Sequence, residues 1–368
     1  MCMEFQINNA VLNEALKVLN KVIPLRSTLP VLSTVLFTSD GGKLSVRSTN
    51  LEVSIEFLLD AKISDPINTA IPISKIFSIT SSLKNEELTF NIEDNYKVNI
   101  KTEFGEYNIM GISPEDFPAK INVSQSENIS FSSEEIKNLI DYTSTSASTD
   151  DLKPALQGVL LDMNEAKTVF VATDGHRLSK MELDKNNTTS KKIILPIKFL
   201  QLIQGFLNET KNVELIIGEN HAQIYFEGTN ISTRLIKDAY PDYEKVIPKD
   251  NDKELKVQTK DLIESLKRVS VFSNKKTKQA TLSIQNNLIE IKTEDVETAT
   301  SAKEKVSCQY SNEDIVVAFN SEYLKEILEK TSTEETTILL KNPLSAALIL
   351  PGEAPKNKIS LLMPIRLN

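Results

Sequence analysis

The tripeptide Pro-Val-Leu at residues 30–32 returns 124 residues later as Pro-Ala-Leu at residues 154–156. The tripeptide Ser-Thr-Asn at 48–50 returns at the same distance as Ala-Thr-Asp at 172–174. Solenoid repeats have periods of about 20–50 residues, so this longer period indicates repetition of a whole domain. The 368-residue chain therefore predicts three matched domains of roughly 120 residues each.

The composition is typical of a soluble globular protein, with 40% hydrophobic and 25% charged residues. The start of the chain has neither the basic nor the long apolar segment of a signal peptide, and no apolar run is long enough for a membrane span. The two cysteines, Cys2 and Cys308, predict neither a disulfide framework nor a zinc site. We therefore expect a cytoplasmic protein without a metal or other cofactor.

Each of the three copies has the pattern of a short strand and a helix, followed by strands, a second helix and more strands. The pattern predicts the order β-α-β-β-β-α-β-β-β, an α+β class with two helices over an antiparallel sheet. Apolar residues of the second helix recur at the 124-residue period as Ile76 and Ile79, Leu200 and Ile203, and Leu324 and Ile327. The predicted domains comprise residues 1–122, 127–249 and 252–368.

Three domains whose sheets join edge to edge would form an arc, and arcs close into rings by symmetry. Helices pack about 8–10 Å apart, so six helices from one chain leave a central hole of well under about 10 Å. Twelve helices from two chains leave roughly 25 Å, which is wide enough for a DNA duplex. The sequence thus favours a ring-forming homodimer.

Charge gives weaker support, because the net charge of −9 argues against a surface that binds nucleic acid everywhere. The predicted helices contain nearly equal numbers of basic and acidic residues, and the rest of the chain is more acidic. This balance is also typical of solvated helix faces. It leaves open an alternative function, a peptide-binding scaffold that never encircles DNA.

The second copy departs from the first at residues 175–177, where Gly-His-Arg replaces Leu-Glu-Val at 51–53. An Asp174–His176 pair is also compatible with acid–base catalysis by a hydrolase. An isolated Asp-Gly-His turn is a weak signal, and no nucleophile motif accompanies it. A solvated turn is the structural alternative.

Four segments together resemble the bacterial DNA polymerase III beta subunit, the replicative sliding clamp family. They are Arg-Ser-Thr-Leu-Pro-Val-Leu at 26–32, Ala-Thr-Asp-Gly-His-Arg-Leu at 172–178, Tyr-Pro-Asp-Tyr-Glu-Lys-Val-Ile-Pro at 240–248 and Met-Pro-Ile-Arg-Leu at 363–367. The resemblance implies a non-catalytic, head-to-tail homodimeric ring around duplex DNA, loaded by a separate ATP-driven loader. A phosphate-binding Gly-x-x-x-x-Gly-Lys-Ser/Thr loop is absent from the sequence, consistent with a separate motor.

The resemblance also implies a pocket between the second and third domains for short apolar peptides of polymerases, the clamp loader and repair proteins. We expect Arg177 and Arg366 to hydrogen-bond the peptide, and Lys245 stands where the family usually has arginine. Asn368 extends the chain by one residue near the pocket rim. The implied wall comprises Leu156, Thr173, Gly175, His176, Arg177, Leu178, Pro241, Lys245, Val246, Leu344, Ala346, Leu361, Leu362, Met363, Pro364, Ile365, Arg366 and Leu367.

Two further sets follow from the resemblance. Ser74 stands where a basic residue is common, and sequence-independent phosphate contacts of a sliding protein are expected to be weak. The implied DNA contacts are Arg26, Ser74, Lys75, Lys153, Pro154 and Lys198. The implied dimer contacts are Phe104, Tyr107, Val271 and Phe272, near an acidic segment at 295–297.

Overall fold

The computed structural model describes residues 3–24, 26–121, 123, 127–185, 187, 190–207, 212–226, 228–352 and 357–367. The chain contains two compact units. The first consists of Met1–Ser133 with Gly205–Leu235, and the second of Glu134–Gln204 with Ile236–Asn368. Within the described residues, no helix combines the length and the apolar character that a membrane crossing requires.

The first repeat begins with a strand that leads directly into an amphipathic helix. The Asn8 side chain accepts a hydrogen bond from the backbone N–H of Ala10 and caps this helix, which buries Leu12, Leu16 and Leu19. The elements are β1 (Met3–Asn8), α1 (Asn9–Leu19), β2 (Thr34–Asp40), β3 (Lys43–Thr49), β4 (Val53–Leu59), β5 (Lys62–Ile63), β6 (Asn68–Pro72), α2 (Ile73–Thr80), β7 (Glu87–Ile92), β8 (Lys97–Lys101) and β9 (Glu106–Met110).

The second repeat has the same order of helices and long strands, without a counterpart of the two-residue strand β5 among the described residues. The repeated tripeptides of the sequence form 3-10 turns, Pro30–Ser33 and Pro154–Gln157, each with proline at its first position. The elements are β10 (Glu127–Ser132), α3 (Ser133–Thr143), β11 (Gly158–Met163), β12 (Lys167–Thr173), β13 (Arg177–Asp184), β14 (Lys191–Pro196), α4 (Ile197–Gln204), β15 (Asn212–Ile217), β16 (His221–Phe226) and β17 (Thr229–Arg234).

The third repeat builds its own core from both helices and one face of its strands. Asn320 caps its second helix by accepting hydrogen bonds from the backbone N–H groups of Glu322 and Tyr323. The elements are β18 (Lys253–Gln258), α5 (Thr259–Ser270), β19 (Gln279–Gln285), β20 (Leu288–Asp295), β21 (Thr300–Tyr310), β22 (Ile315–Asn320), α6 (Ser321–Thr331), β23 (Glu335–Leu340), β24 (Ala347–Pro351) and β25 (Lys358–Leu362).

The structure confirms three tandem two-helix domains with antiparallel sheets, but it corrects the predicted strand count. Among the described residues, four long strands, not three, lie between the two helices of each repeat. In the third repeat the pattern misses β21, because its sequence, Thr-Ser-Ala-Lys-Glu-Lys-Val-Ser-Cys-Gln-Tyr, is largely polar. Most of its residues are not buried, so hydrophobic alternation carries little signal there.

Strands of neighbouring repeats pair within each unit. In the first unit, β17 pairs with β4 inside an eight-stranded sheet. In the second unit, β25 pairs with β13 inside a twelve-stranded sheet. Each of these two joins is an antiparallel ladder of five residue pairs, so the predicted edge-to-edge joining of sheets occurs within the chain.

Candidate functional site

The turn between β12 and β13 is fixed by its own side chains. The Thr173 hydroxyl donates to the carbonyl of Arg177 at 2.6 Å and accepts from the N–H of Gly175 at 3.1 Å. The carboxylate of Asp174 accepts from the backbone N–H groups of His176 at 2.8 Å and Arg177 at 3.0 Å. Gly175 has φ +93°, a left-handed conformation that suits glycine.

The first repeat folds the same turn from different residues. Thr49 donates to the carbonyl of Val53 at 2.9 Å, and Asn50 accepts from the N–H of Val53 at 2.7 Å. Leu51, at φ 75°, occupies the position of Gly175. The turn is therefore common scaffold, and the side chain of Arg177 is what the second repeat adds.

The Arg177 side chain contacts α6, whereas the resemblance implies that it hydrogen-bonds a bound peptide. Its guanidinium lies 4.2 Å from the ring centroid of Tyr323, and Nε donates to Asp174 at 3.1 Å. Nη1 donates to Glu326 on α6. Arg177 is only 8% exposed, and these groups satisfy its charge within the chain, while its predicted contact with a peptide stays a prediction.

These contacts also bear on the catalytic alternative. Both carboxylate oxygens of Asp174 accept hydrogen bonds from the turn itself, through Arg177 Nε and two backbone N–H groups. The carboxylate is thus engaged in holding the turn.

Tyr323, which the sequence analysis did not single out for the pocket, is the aromatic partner of Arg177.

Leu178 faces the opposite side of β13, because neighbouring strand residues alternate between faces. It lies opposite Leu361 of β25 in the second join, and both are buried. Both belong to a buried apolar cluster on the face of β13 opposite Arg177, and we call this cluster, with the exposed apolar residues described below, the outer groove. Its buried members are Leu160, Val169, Val171, Leu178, Ile194, Tyr243, Leu348 and Leu361, with Ala155, Ile236, Tyr240, Ile247, Leu339, Ala346 and Ile359 packed partly buried against them.

Exposed apolar side chains from three neighbouring segments accompany this cluster. Leu344 is 62% exposed and Val246 is 56% exposed, and Met363 and Leu367 are also exposed. Exposed apolar side chains beside a buried apolar floor are typical of sites for apolar peptide segments. Leu362, in contrast, is buried in the helix-side core of the third repeat, and its predicted place in the groove wall stays a prediction.

The chain end is hydrogen-bonded along the turn. The N–H of Met363 donates to the carbonyl of His176 at 2.8 Å, and the N–H of Ile365 donates to the carbonyl of Ala318 at 2.7 Å. Pro364 and Ile365 are partly exposed, and Arg366 is exposed. Asn368 lies outside the described residues.

The remaining predicted groove residues differ in their burial. Leu156 is buried, while Pro241 and Lys245 are exposed. Lys245 Nζ lies 2.9 Å from the carboxylate of Asp242, and this hydrogen bond lowers the pKa of Asp242. The phenol of Tyr240 donates to the carbonyl of Val171 at 3.2 Å, and burial raises its pKa.

All six predicted DNA contacts are solvent-exposed. Arg26 belongs to the first unit, as do Ser74 and Lys75, which lie in the first turn of α2. Lys153, Pro154 and Lys198 belong to the second unit, with Lys198 in the first turn of α4. Their exposure is compatible with phosphate contacts.

The predicted dimer contacts lie in both units, and those of the first unit lie at a sheet edge. Phe104 is 91% exposed and precedes β9, which contains Tyr107 and ends the five-stranded sheet of the first unit. In the second unit, β21 pairs with β18 through residues 308–310. Among the described residues, the earlier part of β21, residues 300–307, pairs with β20 alone. Val271 and Phe272, which follow α5, are exposed.

Three tandem α+β domains with edge-joined sheets define the sliding-clamp class of proteins. Models of the DNA polymerase III beta subunit match the chain at residues 3–122 (N-terminal domain), 130–242 (central domain) and 244–366 (C-terminal domain). The chain belongs to the DNA polymerase III beta subunit family. It is thus a non-catalytic clamp subunit of DNA replication.

Relatives match over essentially the whole chain. The Pseudomonas aeruginosa beta sliding clamp is 29% identical over 99% of this chain and 100% of its own. The Treponema pallidum beta sliding clamp is 25% identical over 94% of this chain and 95% of its own. The crystal structure of the P. aeruginosa DNA polymerase III subunit beta has a TM-score of 0.93 at 28% identity, covering 99% of this chain and 100% of that chain.

Proposed function

We propose that two copies of this chain close head to tail into a ring around duplex DNA. The carrying observation is that two of three equivalent joins are made within the chain. Strand β4 of the first repeat pairs with β17, and β13 of the second repeat pairs with β25. The third pair of equivalent strands, β21 and β9, has its edges free among the described residues for a second copy.

The repeat also gives the register of this third join. Pro196 and Asn320 both directly precede the second helix of their repeat. If the ladders are followed from these two residues across three neighbouring strands, Ser179 of β13 and Ala302 of β21 occupy equivalent positions. The isolated bridges Ala70–Ile112 and Ile194–Ile236 differ by 124 in both residues. The last strands of the first two repeats, β9 and β17, are therefore equivalent at this spacing.

Since Ile231 lies opposite Ile55 in the first join, its counterpart Tyr107 should lie opposite Ala302 of a partner chain. The full ladder is then residues 300–304 against residues 105–109. This register sets Lys303 opposite Glu106, an opposite-charge pair that supports the join. The exposed Phe104 lies beside the ladder.

We propose that the outer groove binds short apolar segments of replication and repair proteins. Expected partners are the polymerase alpha subunit, the clamp loader, other polymerases and repair proteins. Support comes from the buried floor and from the exposed Val246, Leu344 and Met363. An apolar peptide that covers these side chains gains about 25 cal/mol for each Å² of apolar surface removed from water. The groove would tether a polymerase to the ring, which makes the clamp a processivity factor.

A topological experiment tests encirclement. The protein is loaded on nicked circular DNA with a clamp loader and separated from free protein by gel filtration. We expect it to stay with the circle and to leave when a single restriction cut linearises the DNA, because a ring slides off ends. Retention on linear DNA would contradict a sliding ring.

The alternative is a peptide-binding scaffold that does not encircle DNA, which the near balance of charges on the helices favours. Sedimentation velocity separates the two functions. A dimer at micromolar concentration supports the ring, whereas a monomer that still binds an apolar peptide supports the scaffold.

A further inference from the structure

The side chain of Arg177 links the groove turn to helix α6. It stacks on Tyr323 and donates to Glu326, and both residues belong to α6 of the third repeat. Its remaining contact is the carboxylate of Asp174 within the turn. One buried cation is therefore shared between a turn of the second repeat and a helix of the third.

The turn does not need this cation to fold. In the first repeat, Val53 occupies the equivalent position, and Thr49 and Asn50 make the same turn hydrogen bonds. The pair Arg177–Glu326 is thus additional to the turn, and it acts between elements.

The linked turn is also where the last segment of the groove is attached. The carbonyl of His176, next to Arg177, accepts from the N–H of Met363. Two residues later Ile365 donates to Ala318 of β22, the strand that leads directly into α6. These hydrogen bonds connect the turn to residues 363–365, and residues 363–365 to β22, which leads into α6. The contact between Arg177 and Glu326 then connects α6 back to the turn.

We propose that Glu326 is a positioning residue for the outer groove. It fixes Arg177, and through Arg177 it fixes the 173–177 turn against which residues 363–367 lie. Glu326 touches no peptide itself, since it lies on the helix side of β13. This inference rests on the proposed peptide-binding function of the groove.

The first test is peptide binding by Glu326→Gln, which removes the charge and keeps the size. Anisotropy of the fluorescein-labelled pentapeptide Ser-Leu-Leu-Leu-Phe reports the dissociation constant. We expect binding on the order of tenfold weaker than wild type, the scale of coupling between contacting residues. The matched control is Glu329→Gln, one turn further along α6, whose carboxylate pairs with Lys267 of α5. It should change binding less than about twofold.

The second test asks whether Glu326 acts through Arg177. Arg177→Met removes the cation, and the double variant Arg177→Met/Glu326→Gln should bind the peptide no more weakly than Arg177→Met alone. Additive losses, or wild-type binding by Glu326→Gln, would overturn the inference. Thermal unfolding of each variant separates a local effect from loss of fold. If the wild-type protein does not bind the peptide, the proposed groove function itself fails.

Discussion

Arg177 and Leu178 are sequence neighbours that serve opposite faces of one strand. Arg177 contacts α6, and Leu178 lines the outer groove. The repeat comparison identifies Arg177 as distinctive and the family resemblance adds Leu178, but neither tells which face of the strand each residue serves. That depends on the register of β13 against β25, a strand almost two hundred residues away in sequence.

At the groove rim, Leu344→Ser tests whether an exposed apolar side chain serves binding. Leu344 is 62% exposed, so its loss should change the free energy of unfolding by less than about 0.5 kcal/mol. Burial of a leucine under a peptide is worth about 1.5–3 kcal/mol, so we expect peptide affinity to fall at least about tenfold. Anisotropy and chemical denaturation measure the two quantities.

Val11→Ser is the matched control, because Val11 is exposed on α1 of the first unit and lies outside the groove segments. It should leave peptide affinity unchanged. Equal losses in both variants would contradict the assignment of Leu344 to the groove.

At the scale of elements, the sequence predicts the six helices that the described residues form, because each carries apolar residues at helical spacing. It misses β21, whose exposed residues alternate little in polarity. Edge strands that carry charge avoid unwanted pairing, so the property that hides β21 from a pattern search also suits an edge. The joins β4–β17 and β13–β25 have no local signal, since their partners are far apart in the chain.

The proposed third join predicts a charge-reversal result. Lys303→Glu would place two carboxylates opposite each other and should weaken each join by on the order of 1 kcal/mol. Because a ring contains two such joins, the dimer should dissociate roughly 30-fold more readily. Sedimentation equilibrium measures the constant.

Glu106→Lys combined with Lys303→Glu restores opposite charges and should recover most of the dimer affinity. Lys292→Glu on the neighbouring strand β20 is the control, since Lys292 faces Lys303 within the same chain. A double variant as weak as Lys303→Glu would show that the register is wrong.

For the whole molecule, the 124-residue period predicts three domains, and the structure contains three repeats of one element order. The four quoted segments resemble the family in the sequence alone, since they hold specific residues at a turn, a linker and the chain end. The segments do not tell which cationic side chains pair with groups of the same chain, as Arg177 does, and which can contact a partner. That difference depends on contacts between repeats.

Removal of residues 363–368 separates the two activities of the molecule. The segment lies along the groove turn through the Met363–His176 hydrogen bond, while the proposed dimer strands β9 and β21 are formed by other residues. We therefore expect the truncated protein to remain a dimer in sedimentation while losing peptide binding and stimulation of processive synthesis in primer extension. A truncated protein that is monomeric, or that still stimulates the polymerase, would contradict the division of labour between groove and ring edges.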